Sequence, residues 1–202
     1  FLPVGGLEIA TTPERLADLD RRAGWNRAWG VDAEVVDADE AVRLFPMLNR
    51  DMVSGGLFTP GDGLALAARG TQLVIERAQA AGVEFRDRTV VTDIEHAGGK
   101  VAAVIAGDER IPADIVVSCA GFWGPKIGAM ADTPIPLLPL AHQFAWSTEV
   151  PSLVGKNELP NGAQAPILRY QDEDLYYREW GERIGIGSYA HRPMPVDLDE
   201  LP

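Results

Sequence analysis

The fold class follows from residues 64–108, which read LALAARGTQLVIERAQAAGVEFRDRTVVTDIEHAGGKVAAVIAGD. Apolar or small residues recur at helical spacing from Leu64 to Ala81, and Gly82 stands where a left-handed C-cap belongs. This pattern predicts a helix. Short apolar runs separated by glycine-containing turns follow it, and they predict a β-meander. The predicted strands are 83–85, 90–94 and 101–105, with a buried apolar strand at 115–117.

Two helices and a strand are predicted before this stretch. Thr11 to Glu14 supplies an N-cap hydroxyl and a first-turn proline, so a helix should run from there to about Trp29. A second helix should begin at the capping-box spacing from Asp37 to Glu40 and end before Pro46. The glycine-rich segment 55–58 is typical of a strand.

The last third of the sequence is richer in strands. After a short helix around 123–130, the predicted strands are 140–147, 166–170, 175–180 and 184–189, the last two joined by a hairpin turn at Gly181. The fold class is therefore mixed, α+β with α/β features: helices with a mostly antiparallel sheet, plus a helix, a β-meander and a buried strand.

Composition excludes several classes of protein. The chain has 202 residues, 46% of them hydrophobic and 24% charged, as expected of a globular protein. Its net charge of −12 repels nucleic acid and anionic lipid, so neither partner is expected. The single cysteine, Cys119, cannot form an internal disulfide, which favours the cytoplasm. Because the sequence begins at Phe1 without a methionine and stops at Pro202 after a proline-bearing segment, we expect a piece of a longer chain.

Several common chemistries lack their motifs. The three histidines are each about 50 residues apart, so no metal site is expected, and His96, beside a Gly-Gly turn, is predicted to lie on the surface. Neither a Gly-x-Ser-x-Gly elbow nor a P-loop is present. Residues 185–190, GIGSYA, fit a dinucleotide-binding pattern, but the HRPMP that follows cannot form the helix that such a motif requires.

The late strands carry the polar side chains that remain as candidates: His142, Arg169, Tyr176, Tyr177, Arg178 and Tyr189. A histidine and a tyrosine on neighbouring strands can move a proton and hold a substrate. A single histidine after an apolar run is also consistent with a purely structural role, and the residues alone leave both readings open.

Five strings in fixed order carry a resemblance to a known family: 4–10 VGGLEIA, 61–65 GDGLA, 115–124 IVVSCAGFWG, 137–143 LLPLAHQ and 174–179 DLYYRE. Together they resemble the dimethylglycine oxidase and sarcosine dehydrogenase group of FAD-dependent amine oxidoreductases, over essentially the whole chain. The similarity to bacterial dimethylglycine oxidases is strongest over 111–130 and 176–197.

This resemblance implies a covalently bound FAD and a catalytic region made of two interleaved domains. Residues 1–60 and 131–202 would belong to the substrate domain, and 61–130 to an incomplete part of the FAD-binding domain. The family's dinucleotide motif, flavin-linking histidine, closing C-terminal segment and tetrahydrofolate-binding region would lie outside this chain. The expected partners are those missing parts and a small N-methyl amino acid.

The resemblance also assigns roles to single residues. The backbone of Val91 matches the position that meets the adenine of FAD, and Ala120 and Gly121 match a turn that lets the backbone approach the cofactor. His142 and Tyr176 match the active-site histidine and tyrosine, with Tyr176 also beside the flavin. Either Arg169 or Arg178 is a candidate for binding a substrate carboxylate.

The implied reaction is oxidation of dimethylglycine or sarcosine. Hydride transfer to FAD would give an iminium, and then formaldehyde or a one-carbon unit for folate. The chain by itself is expected to be inactive. The alternative is a non-catalytic folded module for substrate binding or interaction, with no cofactor. A dehydrogenase that passes electrons to another flavoprotein is a further possibility.

Overall fold

The computed structural model describes residues 1–157 and 162–199. Contacts within the chain divide it into two compact units, Phe1–Gln72 with His142–Arg192, and Leu73–Ala141 with Pro193–Pro202. The predicted division into substrate and FAD-binding parts is a statement about function, so it stays a prediction.

The strands in chain order are β1 (Gly6–Ala10), β2 (Glu34–Asp37), β3 (Gly55–Thr59), β4 (Val91–Ala97), β5 (Lys100–Ala106), β6 (Glu109–Pro112), β7 (Leu140–Ala141), β8 (Gln143–Trp146), β9 (Ile167–Tyr170), β10 (Leu175–Trp180), β11 (Arg183–Ser188) and β12 (Met194–Pro195). The α-helices are α1 (Pro13–Ala28), α2 (Ala38–Leu44), α3 (Ala67–Ala80) and α4 (Gly124–Met130).

The first unit is built on a sheet of seven strands in the order β2-β3-β1-β9-β10-β11-β8. All neighbours are antiparallel except β1 and β9, which run parallel. The β10–β11 hairpin turns at Gly181, whose φ of +58° favours glycine. The predicted fold class, helices with a mostly antiparallel sheet, is confirmed.

Both helices of the first unit begin at their predicted caps. The Thr12 hydroxyl accepts the Arg15 backbone N–H at 3.1 Å, and the Asp37 carboxylate accepts the Glu40 N–H at 2.8 Å. Asp37 is also the last residue of β2, a strand that the sequence did not predict. Four residues at the end of a sheet carry too little alternation to be recognised.

The core of the first unit lies on both faces of the sheet. Leu7 and Ile9 of β1 pack with Phe45, which directly follows α2, whereas Ala10 packs with Leu19 of α1. Because successive strand residues point to opposite faces, α1 and α2 cover opposite faces of the sheet.

Two buried carboxylates are held by several donors each. Glu8 is 7% exposed and accepts hydrogen bonds from the guanidinium groups of Arg15 and Arg22. Glu179 is 5% exposed and accepts the backbone N–H groups of Gln164 at 2.7 Å and Ala165 at 3.2 Å. These donors replace the water that each carboxylate loses on burial.

The second unit contains the predicted β-meander. Strands β4, β5 and β6 form a three-stranded antiparallel sheet. Helix α3 begins at Ala67, three residues after the predicted start, and Gly82, with φ +93°, follows its end as predicted. Strand β6 was not predicted. The predicted helix near 123–130 is present as α4.

The predicted strands at 83–85 and 115–117 are wrong. Both segments lie outside regular secondary structure, and Ile115 and Val117 are 82% and 78% exposed. An apolar run becomes a strand only beside another strand, and within the described residues no strand pairs with either segment. Neither segment can pair with β5, the central strand of the meander, because β5 already pairs with β4 and β6.

The predicted strand 140–147 is interrupted at His142. Residues 140–141 pair with β12, whereas 143–146 pair with β11. His142 lies between the two ladders and belongs to neither. Within the described residues, no helix has both the length and the apolar composition that a bilayer span requires.

Candidate active site

The register of the strands places the side chain of Tyr176 on one particular face of the sheet. In β10 it lies opposite Arg169 of β9 and opposite Gly187 of β11, and residues directly opposite share a face. The next residue, Tyr177, points to the other face and lines an apolar cavity of about 420 Å³. The two adjacent tyrosines therefore have separate surroundings.

His142 and Tyr176 meet although 34 residues separate them. The His142 Nε2 atom lies 3.2 Å from the Tyr176 hydroxyl, and the ring of Tyr189 stacks on the imidazole with centroids 4.4 Å apart. The structure thus brings together the two residues that the sequence proposed as catalytic. Their catalytic role stays a prediction.

Glycine at position 187 makes room for the Tyr176 ring. A Cβ atom at Gly187 would lie 1.9 Å from Cζ of Tyr176 and 2.2 Å from its hydroxyl oxygen. Real Cβ atoms do not approach so closely, so the ring reaches His142 only because position 187 lacks a side chain.

We expect Gly187→Ala to lower the free energy of unfolding by about 1–3 kcal/mol, because the extra methyl forces the Tyr176 ring out of its place. Urea unfolding checks the stability, and the NMR signals of the ring check its position. Gly70→Ala in α3 is the matched control, since a Cβ there meets no atom within 4 Å. Equal stability of the two variants would show that the ring is not tightly held.

A second histidine extends the pair. The Nδ1 atom of His142 lies 3.1 Å from Nε2 of His191, whose Nδ1 lies 2.8 Å from the carbonyl oxygen of Arg192. Sequence reasoning missed His191 as a site residue. No local pattern marks it, because it follows β11 in a proline-rich segment and reaches His142 only through the fold.

The phenol of Tyr176 is held in its protonated form. Burial raises the pKa of Tyr176 above its ordinary value, Tyr189 raises it further, and Arg178 opposes the shift. At neutral pH the hydroxyl is therefore a neutral group with a proton to donate.

A cavity of about 430 Å³ adjoins the tyrosine. It is lined by Ile167, Arg169, Gln171, Tyr176 and Tyr189. Its volume suits a small substrate. Arg169 is exposed, and no carboxylate of residues 1–157 or 162–199 forms an ion pair with it. Among the described residues, this cation at the cavity therefore has no acidic partner.

Arg178, the other candidate cation, is engaged elsewhere. Its guanidinium lies 4.6 Å from the ring centroid of Trp180 and 5.4 Å from that of Trp146. Through these cation–π contacts its charge interacts with both indole rings. Burial also lowers the pKa of Arg178 from its ordinary value, while Tyr176 opposes that shift.

Three of the residues predicted to approach FAD lie in the second unit: Val91, whose backbone is predicted to meet the adenine, and Ala120 and Gly121 of the predicted cofactor-approaching turn. Val91 and Ala120 line the same apolar cavity of about 190 Å³, and Gly121 follows at φ +53° with open space where a Cβ would be. The ladder between β4 and β5 shifts register after Val91, so Thr92 has no residue opposite it. The cavity is small and mostly apolar, and the register shift lies next to Val91, one of its lining residues.

Two further predictions concern the exposure of His96 and the binding of metal ions. His96 is exposed in β4, as predicted. Among the described residues, no group of three or more His, Cys, Asp or Glu side chains is arranged to hold a metal ion.

Comparison with known proteins assigns the chain to a family. Residues 1–201 match the family of FAD-dependent oxidoreductases, and the chain belongs to that family. The resemblance drawn from the sequence is confirmed at this level.

Its relatives include two mitochondrial dehydrogenases. The chain is 31% identical over 202 residues to sarcosine dehydrogenase of Mus musculus, and 28% identical over 193 residues to dimethylglycine dehydrogenase of Rattus norvegicus. Each match covers 94% of this chain but 20% and 22% of the respective relative. The chain therefore spans about a fifth of the length of these curated relatives.

A solved structure shows the same fold. L-proline dehydrogenase from P. horikoshii matches with a TM-score of 0.84 at 21% identity, over 99% of this chain and 52% of that chain.

Proposed function

We propose that this chain is part of the catalytic region of a flavoenzyme that oxidises N-methyl amino acids, dimethylglycine or sarcosine. The observation that carries the proposal is the 3.2 Å contact between His142 Nε2 and the Tyr176 hydroxyl, beside a cavity that contains Arg169. The names of two relatives, sarcosine dehydrogenase and dimethylglycine dehydrogenase, support this substrate class.

The proposal retains the domain assignment made from the sequence, with 61–130 in the FAD-binding domain and the flanking segments in the substrate domain. Parts of the catalytic region outside residues 1–202 would complete it. The cytoplasm remains the proposed location, on the basis of a single cysteine.

FAD, when bound, accepts the hydride that leaves the N-methyl carbon. Val91, Ala120, Gly121 and Tyr176 are the residues of this chain that would hold it. The fit rests on the small apolar cavity at Val91 and Ala120 and on the open space at Gly121.

The chain's own contribution is control of a proton. An ammonium nitrogen has no free lone pair, so an N-methyl group becomes a hydride donor only after the nitrogen loses its proton. The Tyr176 oxygen accepts that proton while its own moves to Nε2 of His142, which becomes an imidazolium. Tyr176 is a neutral phenol before and after the transfer. One positive charge has moved from the substrate to His142.

The product of this oxidation is an iminium. Water hydrolyses it to formaldehyde and the demethylated amine, or its one-carbon unit is delivered to tetrahydrofolate bound outside residues 1–202.

Arg169 is proposed to bind the substrate carboxylate. It lines the same cavity as Tyr176 without an acidic partner among the described residues, whereas Arg178 forms cation–π contacts with Trp146 and Trp180. A guanidinium can form two charge-assisted hydrogen bonds to a carboxylate.

We expect Arg169→Gln to weaken binding of dimethylglycine roughly 10- to 100-fold, because a hydrogen bond to a charged group contributes about 1.5–3 kcal/mol. Flavin reduction at saturating substrate should change little. The control is Arg183→Gln, which alters an exposed arginine of β11 in the same sheet. Equal binding by the Arg169 and Arg183 variants would show that another group binds the carboxylate.

The experiment that tests the proposed function is an anaerobic titration of the FAD-loaded enzyme with dimethylglycine and then sarcosine, following the absorbance of oxidised flavin. Bleaching by either amine supports N-methyl amine oxidation, and the tighter response names the substrate. A bound flavin that neither amine bleaches would contradict it. Oxygen uptake after reduction separates an oxidase from a dehydrogenase.

The alternative, a non-catalytic module, makes a different prediction. Such a protein would bind no flavin even as the full-length protein, so the absorbance of the purified full-length protein tests it before any substrate is added.

A further inference from the structure

His191 lies between two backbone groups that fix its protonation pattern. Its Nδ1 atom is 2.8 Å from the carbonyl oxygen of Arg192, and the backbone N–H of Gln143 points to its Nε2 atom at 3.5 Å. A carbonyl oxygen can only accept a hydrogen bond and a backbone N–H can only donate one. In the neutral ring, Nδ1 therefore carries the proton and Nε2 carries the lone pair.

The tautomer of His191 determines that of His142. The Nδ1 atom of His142 lies 3.1 Å from the lone pair on His191 Nε2, so His142 must donate from Nδ1. Its own Nε2 is then the unprotonated nitrogen, and it faces the Tyr176 hydroxyl at 3.2 Å. The phenol, which its raised pKa keeps neutral, consequently donates to His142.

We propose that His191 is a positioning residue, which fixes the ring tautomer of His142 and thereby directs the Tyr176 hydroxyl proton away from the substrate cavity. The phenol oxygen then offers its lone pairs to that cavity, where a substrate ammonium can donate to them. With the opposite tautomer, His142 would donate to the phenol, and the phenol proton would turn toward the ammonium and oppose its binding. The catalytic consequence rests on the proposed function, whereas the tautomer itself does not.

Two substitutions at His191 separate positioning from other roles. In His191→Gln the amide oxygen can stand in for the Nε2 lone pair, but the side chain cannot titrate. In His191→Phe an aromatic ring still fills the position, but the nitrogen that accepts the hydrogen bond from His142 is lost. We expect flavin reduction to be close to that of the original enzyme in the Gln variant and about tenfold slower in the Phe variant, as when one orienting hydrogen bond is removed. His96→Phe, at the exposed histidine of β4, is the control and should change neither rate nor tautomer.

Nitrogen-15 NMR of labelled histidine in the FAD-loaded enzyme gives a readout that needs no substrate. We expect the Nδ1–H tautomer for His142 in the original and Gln-substituted proteins, and a shift toward the Nε2–H tautomer in the Phe variant. An Nε2–H signal for His142 in the original enzyme would overturn the proposal, as would an equal loss of rate in both His191 variants. If no amine reduces the flavin but the tautomers behave as expected, the proposed function fails and the positioning role stands.

Discussion

Replacing Tyr176 with phenylalanine should slow reduction of the flavin by dimethylglycine or sarcosine by roughly 10²- to 10⁴-fold, the usual contribution of general acid–base catalysis. The substitution keeps the ring that packs over Gly187 and removes only the hydroxyl that would take the amine proton. His142→Ala removes the acceptor of the next proton and should have an effect of the same order. Stopped-flow measurement under anaerobic conditions gives the rate directly.

The neighbouring tyrosine supplies the matched control. Tyr177→Phe makes the same chemical change one residue away, on the opposite face of the sheet, where Tyr177 lines the apolar cavity. Its reduction rate should be unchanged. If Tyr176 and His142 act as one unit, the double variant should be little slower than either single variant. Unchanged rates in both single variants would end the case for a catalytic pair.

Glu8→Gln should have the largest effect on stability. The substitution leaves Arg15 and Arg22 facing a neutral amide inside the α1 face of the sheet. Breaking a buried ion pair costs about 3–5 kcal/mol, and we expect about 3 kcal/mol here, because Arg15 retains Asp18 and Asp172 as partners.

Native-state amide hydrogen exchange of β1 and α1 measures this local loss even in a protein of several domains. The control is Glu34→Gln in β2, an exposed carboxylate with no ion pair among the described residues. The control should change the free energy of opening by less than about 0.5 kcal/mol. Equal protection of β1 in the two variants would mean that the Glu8 cluster adds no net stability.

Features encoded within a few residues were predictable from the sequence. The caps at Thr12 and Asp37, the glycine after α3 and the β10–β11 hairpin each depend on local chemistry, and each is found where predicted. The strands predicted at 83–85 and 115–117 were wrong because an apolar run does not contain the partner that makes it a strand.

The candidate site, too, depends on contacts between residues that are distant in the sequence. From the residues alone, His142 and Tyr176 belonged to a larger set of polar side chains, and only the resemblance singled them out. Their contact depends on the register of β10 and on the interruption of the strand at His142, neither of which a single sequence reveals. His191 lies 49 residues from His142, and only the folded chain brings their rings together.

The adjacent tyrosines of β10 also determine what would happen if an insertion or deletion shifted this strand by one residue. Sliding β10 by one residue would still present a phenol to the cavity, with Tyr177 in place of Tyr176, so side-chain chemistry at the site barely distinguishes the two alignments. Glu179 does distinguish them, because the same slip would take its carboxylate away from the N–H groups of Gln164 and Ala165. A buried acid outside the lining of the candidate cavity thus fixes the register of the strand that carries the tyrosine.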